Sequence, residues 1–287
     1  MDEDSMSDTP STRQAVHYEQ AEMLDGEDLR RHFLIEQLMV PGRLTATYTH
    51  YDRMLVMGAV PTDAPLVVGE DLAKLVGSAT LLERRELGLI NVGGAGRVTA
   101  DGTVYEVGSQ DALYLGKGIA AVSFASADPA NPAKFYINSS PAHAAHPSRL
   151  VTKAQALVKE LGAPETSNRR TLSQYLHPEV LPTCQLLMGL TRLHSGSVWN
   201  TMPAHTHDRR MEAYFYFELP ADAVVMHFMG RPEATRHLVI RNEQAVLSPP
   251  WSIHCGAGTA AYAFIWSMAG DNQAFTDMDF VAMGDLL

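Results

Sequence analysis

Short runs of alternating apolar and polar residues, each bounded by turn-forming residues, fill most of the chain beyond Arg43. Period-two alternation puts one set of side chains on each face of a strand. The pattern predicts strands at 44–51, 53–59, 87–92, 97–100, 103–107 and 112–115. Glycines at 93, 94 and 96 and the Asp101-Gly102 pair mark tight turns between them. The pattern stops between Pro141 and about His177, where a helical run is expected at 153–161, and then resumes. Strands follow at 183–191, 197–202, 212–219, 224–229, 237–241, 245–247 and 261–267. Ahead of this array, Gly26 to about Leu38 reads as a short helix. Residues 1–12 are polar and acidic, without apolar period, and read as a disordered tail. Many short strands with frequent turns indicate sandwiches or barrels. The chain therefore divides into a flexible acidic segment, 1–28, an N-terminal barrel, 29–140, a connection, 141–177, and a C-terminal barrel, 178–287.

The two barrels follow one plan. Ala112-Leu113-Tyr114-Leu115 aligns with Ala245-Val246-Leu247-Ser248, each after a hairpin and before a Gly or Pro turn. Setting Glu86 against Glu212 places Ala79 and Leu81 opposite His205 and His207, and the first alignment places Ala121 opposite His254. The first half is then a copy that keeps the barrel and lacks three of four polar residues.

Composition narrows the function classes. With 46% hydrophobic and 19% charged residues, the 287-residue chain has enough apolar material for full cores. A net charge of −11 without a basic patch argues against nucleic acid and leaves small molecules as partners. No apolar run approaches the roughly 20 residues of a membrane helix. The N-terminus is not that of a signal peptide, and two isolated cysteines, Cys184 and Cys255, suit a reducing compartment; the expectation is a cytoplasmic protein.

The chemistry concentrates in residues 199–218. His205 and His207, two apart on a strand, project from one face; Asp208 to Met211 can turn, and Glu212 then opens the next strand facing the imidazoles. His254 follows the Pro249-Pro250 turn at a barrel rim, where no ladder N–H is needed. Three imidazoles and one carboxylate suit a borderline ion, zinc first and then iron, nickel or manganese, with one site per chain.

These residues resemble the 5-keto-4-deoxyuronate isomerase family of bicupin enzymes. The resemblance runs from about Arg13 to the C-terminus and is strongest in LERRELGLINVGGAG, DALYLGKG, TSNRRT, WNTMPAHTHDRRMEAYFYF and RNEQAVLSPPWSIHCGAGT. It implies a mainly all-β bicupin, two jelly-roll barrels with short helical segments, and zinc ligands at His205, His207, Glu212 and His254. Cys255 departs from the small hydroxyl residue expected there. The resemblance also implies a hexamer in uronate and pectin breakdown that converts 5-dehydro-4-deoxy-D-glucuronate to 3-deoxy-D-glycero-2,5-hexodiulosonate, an aldose–ketose isomerisation.

A Lewis acid at the C1 and C2 oxygens suits that reaction by acidifying the C2–H bond. Tyr214, Tyr216 and Glu218 share strand parity with Glu212 and are expected in the same cavity as proton-transfer candidates. Arg209, Arg210, Arg169 and Arg170 are the candidate cations for the substrate carboxylate. Two rival readings are a metal-dependent cupin dioxygenase and a sugar-acid-binding cupin without turnover.

Overall fold

The computed structural model describes residues 10–287. Most of the expected disordered tail, residues 1–9, lies outside them. Its remainder is ordered: Ser11–Arg13 forms a strand parallel to Leu44–Thr49, with the Ser11 and Thr47 hydroxyls 2.8 Å apart. The Tyr51 hydroxyl both accepts from the Val16 N–H, at 2.7 Å, and donates to the Val16 carbonyl, at 2.8 Å, so the chain after this strand is anchored where Val16 and Tyr51 are buried. Tyr18–Met23 and Gly26–Phe33 are helices, the second capped by the Asp25 carboxylate on the Asp28 N–H. The flexible segment expected through residue 28 thus gives way to structure from Ser11 onward.

The first half contributes strands β1 (Leu55–Ala59), β2 (Leu66–Val67), β3 (Arg85–Asn91), β4 (Gly96–Ala100), β5 (Thr103–Val107), β6 (Ala112–Leu115), β7 (Val122–Ser126) and β8 (Phe135–Pro141). The second contributes β9 (Leu187–Leu193), β10 (Trp199–Asn200), β11 (Arg210–Phe217), β12 (Val225–Arg231), β13 (Ala234–Ile240), β14 (Gln244–Ser248), β15 (Cys255–Gly258) and β16 (Ala263–Gly270). In the first half the sheets run β1-β8-β3-β6 and β2-β7-β4-β5; in the second, β9-β16-β11-β14 and β10-β15-β12-β13. These orders are the same, strand for strand, and each is the eight-stranded, two-sheet jelly roll. The chain is mainly β, as expected.

Flanking strands widen one sheet of each half to seven. Leu44–Thr49 and Ser11–Arg13 extend beyond β1, and Arg149–Val151 beyond β6. Arg170–Leu176 and Leu157–Leu161 extend beyond β9, while Leu34–Ile35 crosses from the N-terminus to pair with β14. The helical run expected at 153–161 is instead a 3-10 turn, Lys153–Gln155, followed by the strand Leu157–Leu161. Antiparallel pairing of that strand with Arg170–Leu176 outweighs its helix-compatible sequence. The expected connection therefore carries strands of both large sheets.

One apolar core joins the halves. It includes Val56, Ile90 and Tyr136 from the first and Leu187, Phe215 and Trp266 from the second, with Tyr136 stacked on Phe215 at 4.7 Å. A Cβ at Gly88 would run into Leu176, Leu186 and Met188, so close approach of the sheets requires glycine there. The remaining first-half core lies inside its own barrel and contains Leu55, Met57, Leu87 and Leu89.

Strand register corrects the alignment of the two halves. Leu87 lies opposite Leu115 and Ser139, whereas Glu212 lies opposite Ser248 and Met268. With Leu115 matched to Ser248, the counterpart of Glu212 is Leu87, not Glu86. A shift of one residue exchanges the faces of a strand. Glu86 accordingly faces the junction, where its carboxylate accepts from the backbone N–H groups of Cys184, Gln185 and Leu186 at 2.7–2.9 Å. It also accepts from the Tyr114 hydroxyl at 2.8 Å.

Candidate metal centre

Three structural segments deliver the four ligand candidates. His205 and Thr206 form a short strand, and a turn closed by the Arg210 N–H on the His207 carbonyl, at 3.1 Å, leads into β11. Glu212 sits near the start of that strand. His254 follows the turn in which the Ser252 N–H donates to the Pro249 carbonyl, at 3.0 Å. Trp251, in the same turn, packs edge-on against Phe33. The candidate ligand atoms of His205, His207, Glu212 and His254 all lie within 4.8 Å of one another, and all four residues are buried.

Glu212 Oε2 is 3.1 Å from both His207 Nε2 and His254 Nε2, and His254 Nε2 is 3.0 Å from His205 Nε2. Carbonyl oxygens only accept, so His207 Nδ1 at 2.9 Å from the Arg210 carbonyl carries its proton, as does His254 Nδ1 at 3.2 Å from the Ser252 carbonyl. Their Nε2 lone pairs therefore converge with a carboxylate oxygen. One shared proton relieves a single pair, whereas a cation at the centre satisfies every acceptor. Ligand atoms at about 2.0–2.2 Å from a tetrahedral ion lie roughly 3.3 Å apart; three pairs here are at 3.0–3.1 Å, while the whole set falls within 4.8 Å. The backbone carbonyls that fix the rings are the outer partners such a site needs.

Burial, reinforced by His254, pushes His205 down to about 3, which keeps it neutral and able to ligate. Burial alone would raise the Glu212 carboxyl, but the imidazoles of His254 and His207 outweigh it and hold the group ionised, well below the carboxylate range. For His207, burial is opposed and exceeded by its bond to Glu212.

The cluster opens into a cavity of about 220 Å³ lined by Tyr214, Arg170 and Arg210 and by an apolar wall that includes Phe264, Trp266, Phe275 and Met278. Of the three residues expected beside Glu212, only Tyr214 faces this space. Its hydroxyl lies 3.0 Å from Thr201 Oγ1, and burial raises its phenol well above the usual range. Tyr216 lies deeper in the barrel, 2.7 Å from His227 Nδ1. Glu218 leaves the cavity: at φ 54° the backbone breaks strand parity, and the carboxylate pairs outside with Arg192.

The arginines separate in the same way. Arg210 is fully buried, donates from Nη2 to the Asp277 carbonyl at 2.8 Å, and leaves Nε and Nη1 without a hydrogen-bond partner. Arg170 is half-buried and donates from Nη1 to the Asn168 carbonyl. Arg209 turns away to Asp277 and Asp279, and Arg169 is exposed and not part of the lining. Sequence reasoning also missed His227, buried with Nε2 unpartnered, and the C-terminal wall of Phe275, Met278 and Phe280. His227 shares β12 parity with buried Val225 and Met229, which was a readable signal; the C-terminal wall had no local one.

Comparison with known proteins agrees with this picture. Proteins named 4-deoxy-L-threo-5-hexosulose-uronate ketol-isomerase are 56% identical in Burkholderia cenocepacia and 55% in Pectobacterium carotovorum, each over 96% of this chain and 99% of their own length. One from Yersinia pseudotuberculosis is 53% identical over the same shares. Among solved structures, an IolB-like protein from Salmonella typhimurium superposes with a TM-score of 0.70 at 15% identity, over 87% of this chain and 96% of that one. Oxalate decarboxylase from Lactobacillus farciminis gives 0.56 at 9% identity, over 80% and 79%. At such identities these two speak for the fold alone. Residues 60–283 match the KduI/IolB family, and the chain belongs to it.

Proposed function

We propose that the protein is a metal-dependent aldose–ketose isomerase converting 5-dehydro-4-deoxy-D-glucuronate to 3-deoxy-D-glycero-2,5-hexodiulosonate. The observation that carries this reading is the buried three-histidine, one-glutamate cluster at the end of a cavity holding two arginines. The ketol-isomerase relatives at 53–56% identity supply the reaction class. We further propose zinc as the ion, a homohexameric assembly, and a cytoplasmic role in uronate and pectin breakdown. No helix among the described residues is long and apolar enough to cross a membrane.

In the reaction the C2–H bond breaks and a C1–H bond forms, while the hydroxyl proton passes from O2 to O1. His205, His207, Glu212 and His254 would hold the ion, which when bound would supply Lewis acidity that acidifies the C2–H bond. Tyr214 keeps its proton at neutral pH and donates toward developing oxygen charge, oriented by Thr201. Arg170 and Arg210 hold the substrate carboxylate; Arg210 Nε and Nη1, which have no partner in the protein, leave N–H donors for it. Phe264, Phe275 and Met278 exclude water from the transferring hydrogen.

The test is to incubate zinc-loaded protein with the substrate and follow the C1 aldehyde by NMR. Conversion to the 2-ketose that stops on chelation supports the reading. No conversion, or consumption of oxygen in its place, overturns it.

A further inference from the structure

The strand carrying the first ligand is paired in an unusual way. Among the described residues, His205–Thr206 pairs with a single strand, Asp279–Phe280, and the two form a sheet of their own. His205 lies opposite Phe280, whose ring meets the imidazole edge-on at 5.9 Å, and the Val281 N–H donates to the Ala204 carbonyl at 2.9 Å. The position of a buried ligand therefore depends on a C-terminal segment that is itself largely exposed.

Arg209 holds that segment down. Its Nε donates to Asp277 Oδ2 at 3.1 Å, and its Nη2 reaches both Asp277 Oδ1 and Asp279 Oδ2, the latter at 2.8 Å. Asn272 Nδ2 adds a bond to Asp277 at 2.7 Å, and the Asp271 N–H donates to the Arg209 carbonyl at 2.9 Å. An isolated exposed ion pair stabilises little, but a guanidinium fork on one carboxylate with a second alongside fixes geometry. The same segment carries Phe275 and Met278, which line the cavity, and Phe275 rests on Trp266 at 5.3 Å.

We propose that Arg209 is a positioning residue, the clasp that ties residues 272–281 to the ligand-bearing strand, so that this C-terminal strap sets His205 and walls the substrate chamber. The inference rests on the proposed metal site and isomerase reading, but it concerns a different residue and a different segment.

The test uses full-length Arg209→Gln and Arg209→Lys, zinc-loaded, with three readouts. Arg209→Gln should be cut faster by protease within residues 271–287 and release zinc to a chelator several-fold faster. Its KM should rise on the order of tenfold, because the loosened segment walls the substrate chamber, and kcat should fall by a smaller factor as His205 loses its fixed position. Arg209→Lys, which retains the charge without the fork, should fall between it and the parent. Unchanged proteolysis, zinc release and KM in Arg209→Gln would overturn the proposal. If Arg209→Gln does not fold, Asp279→Asn removes one arm of the clasp and is read the same way. Should the parent show no isomerisation, proteolysis and zinc release still decide whether the clasp exists.

Discussion

Burial holds the His227 imidazole neutral, pushed down to about 3 from an ordinary 6.5. The unfolded chain takes up a proton at this side chain below pH 6.5, whereas the folded chain takes it up only near pH 3. The stability linked to the neutral ring is therefore present above pH 6.5 and is lost as pH falls toward 3, at about 1.4 kcal/mol per pH unit. Urea midpoints of the parent and of His227→Gln, compared from pH 7 to 4, should converge as pH falls; a difference independent of pH would contradict the assignment. Glu86 makes a second residue-level prediction. Its carboxylate accepts from three N–H groups across the junction, that of Leu186 buried and those of Cys184 and Gln185 partly so, and from the buried Tyr114 hydroxyl, so Glu86→Gln should cost about 2–4 kcal/mol by leaving donors imperfectly paired. Thermal unfolding measures this, and a change under about 0.5 kcal/mol, the size of an ordinary surface substitution, would argue against the role.

Strand by strand, what was legible followed from local periodicity. β5 and β6 were predicted to the residue, and His205, His207 and Glu212 share a cavity because side-chain parity on short strands is a local property. Parity failed at Glu218, where a left-handed backbone residue ends the strand's alternation. It failed also for Glu86, since an alignment by residue type cannot sense a one-residue register difference. The alternation pattern does not reveal β7 and β8, and it reads Arg170–Leu176 as connection because the ladder partners of these strands lie elsewhere in the sequence. The burial of Arg210 beneath Asp277, 67 residues on, likewise has no local trace. These corrections bear on mechanism. The polar relay expected from Tyr214, Tyr216 and Glu218 reduces to Tyr214 in a cavity with an apolar wall. A C2-to-C1 hydrogen transfer shielded from water should incorporate little deuterium at C1 in deuterated water, and incorporation rising at higher pH and temperature would mark a proton passed through a base. Incorporation that stays at zero under all conditions would support a direct hydride shift instead.

At the scale of the whole molecule, two jelly rolls of identical strand order divide the work. In the first, apolar Leu87 stands where the second has Glu212, and Leu55, Met57 and Leu89 fill the interior around it. This half acts on the metal centre from outside. Asp52 accepts from the Met211 N–H at 2.7 Å, between Arg210 and Glu212, and Lys134 pairs with Glu243 across the junction. Asp52→Ala should therefore loosen the start of β11 and lower zinc affinity several-fold, although Asp52 lies outside the ligand set; equilibrium dialysis checks this, and unchanged affinity would sever the link.

On the proposed reading, one ion held by His205, His207, Glu212 and His254 makes this chain an isomerase. The most direct test is to titrate zinc into metal-stripped protein while recording turnover of 5-dehydro-4-deoxy-D-glucuronate. Turnover should rise linearly and break at one equivalent per chain, and His254→Ala should show neither tight binding nor turnover. Full turnover before zinc is added, or a break at two equivalents, would contradict it.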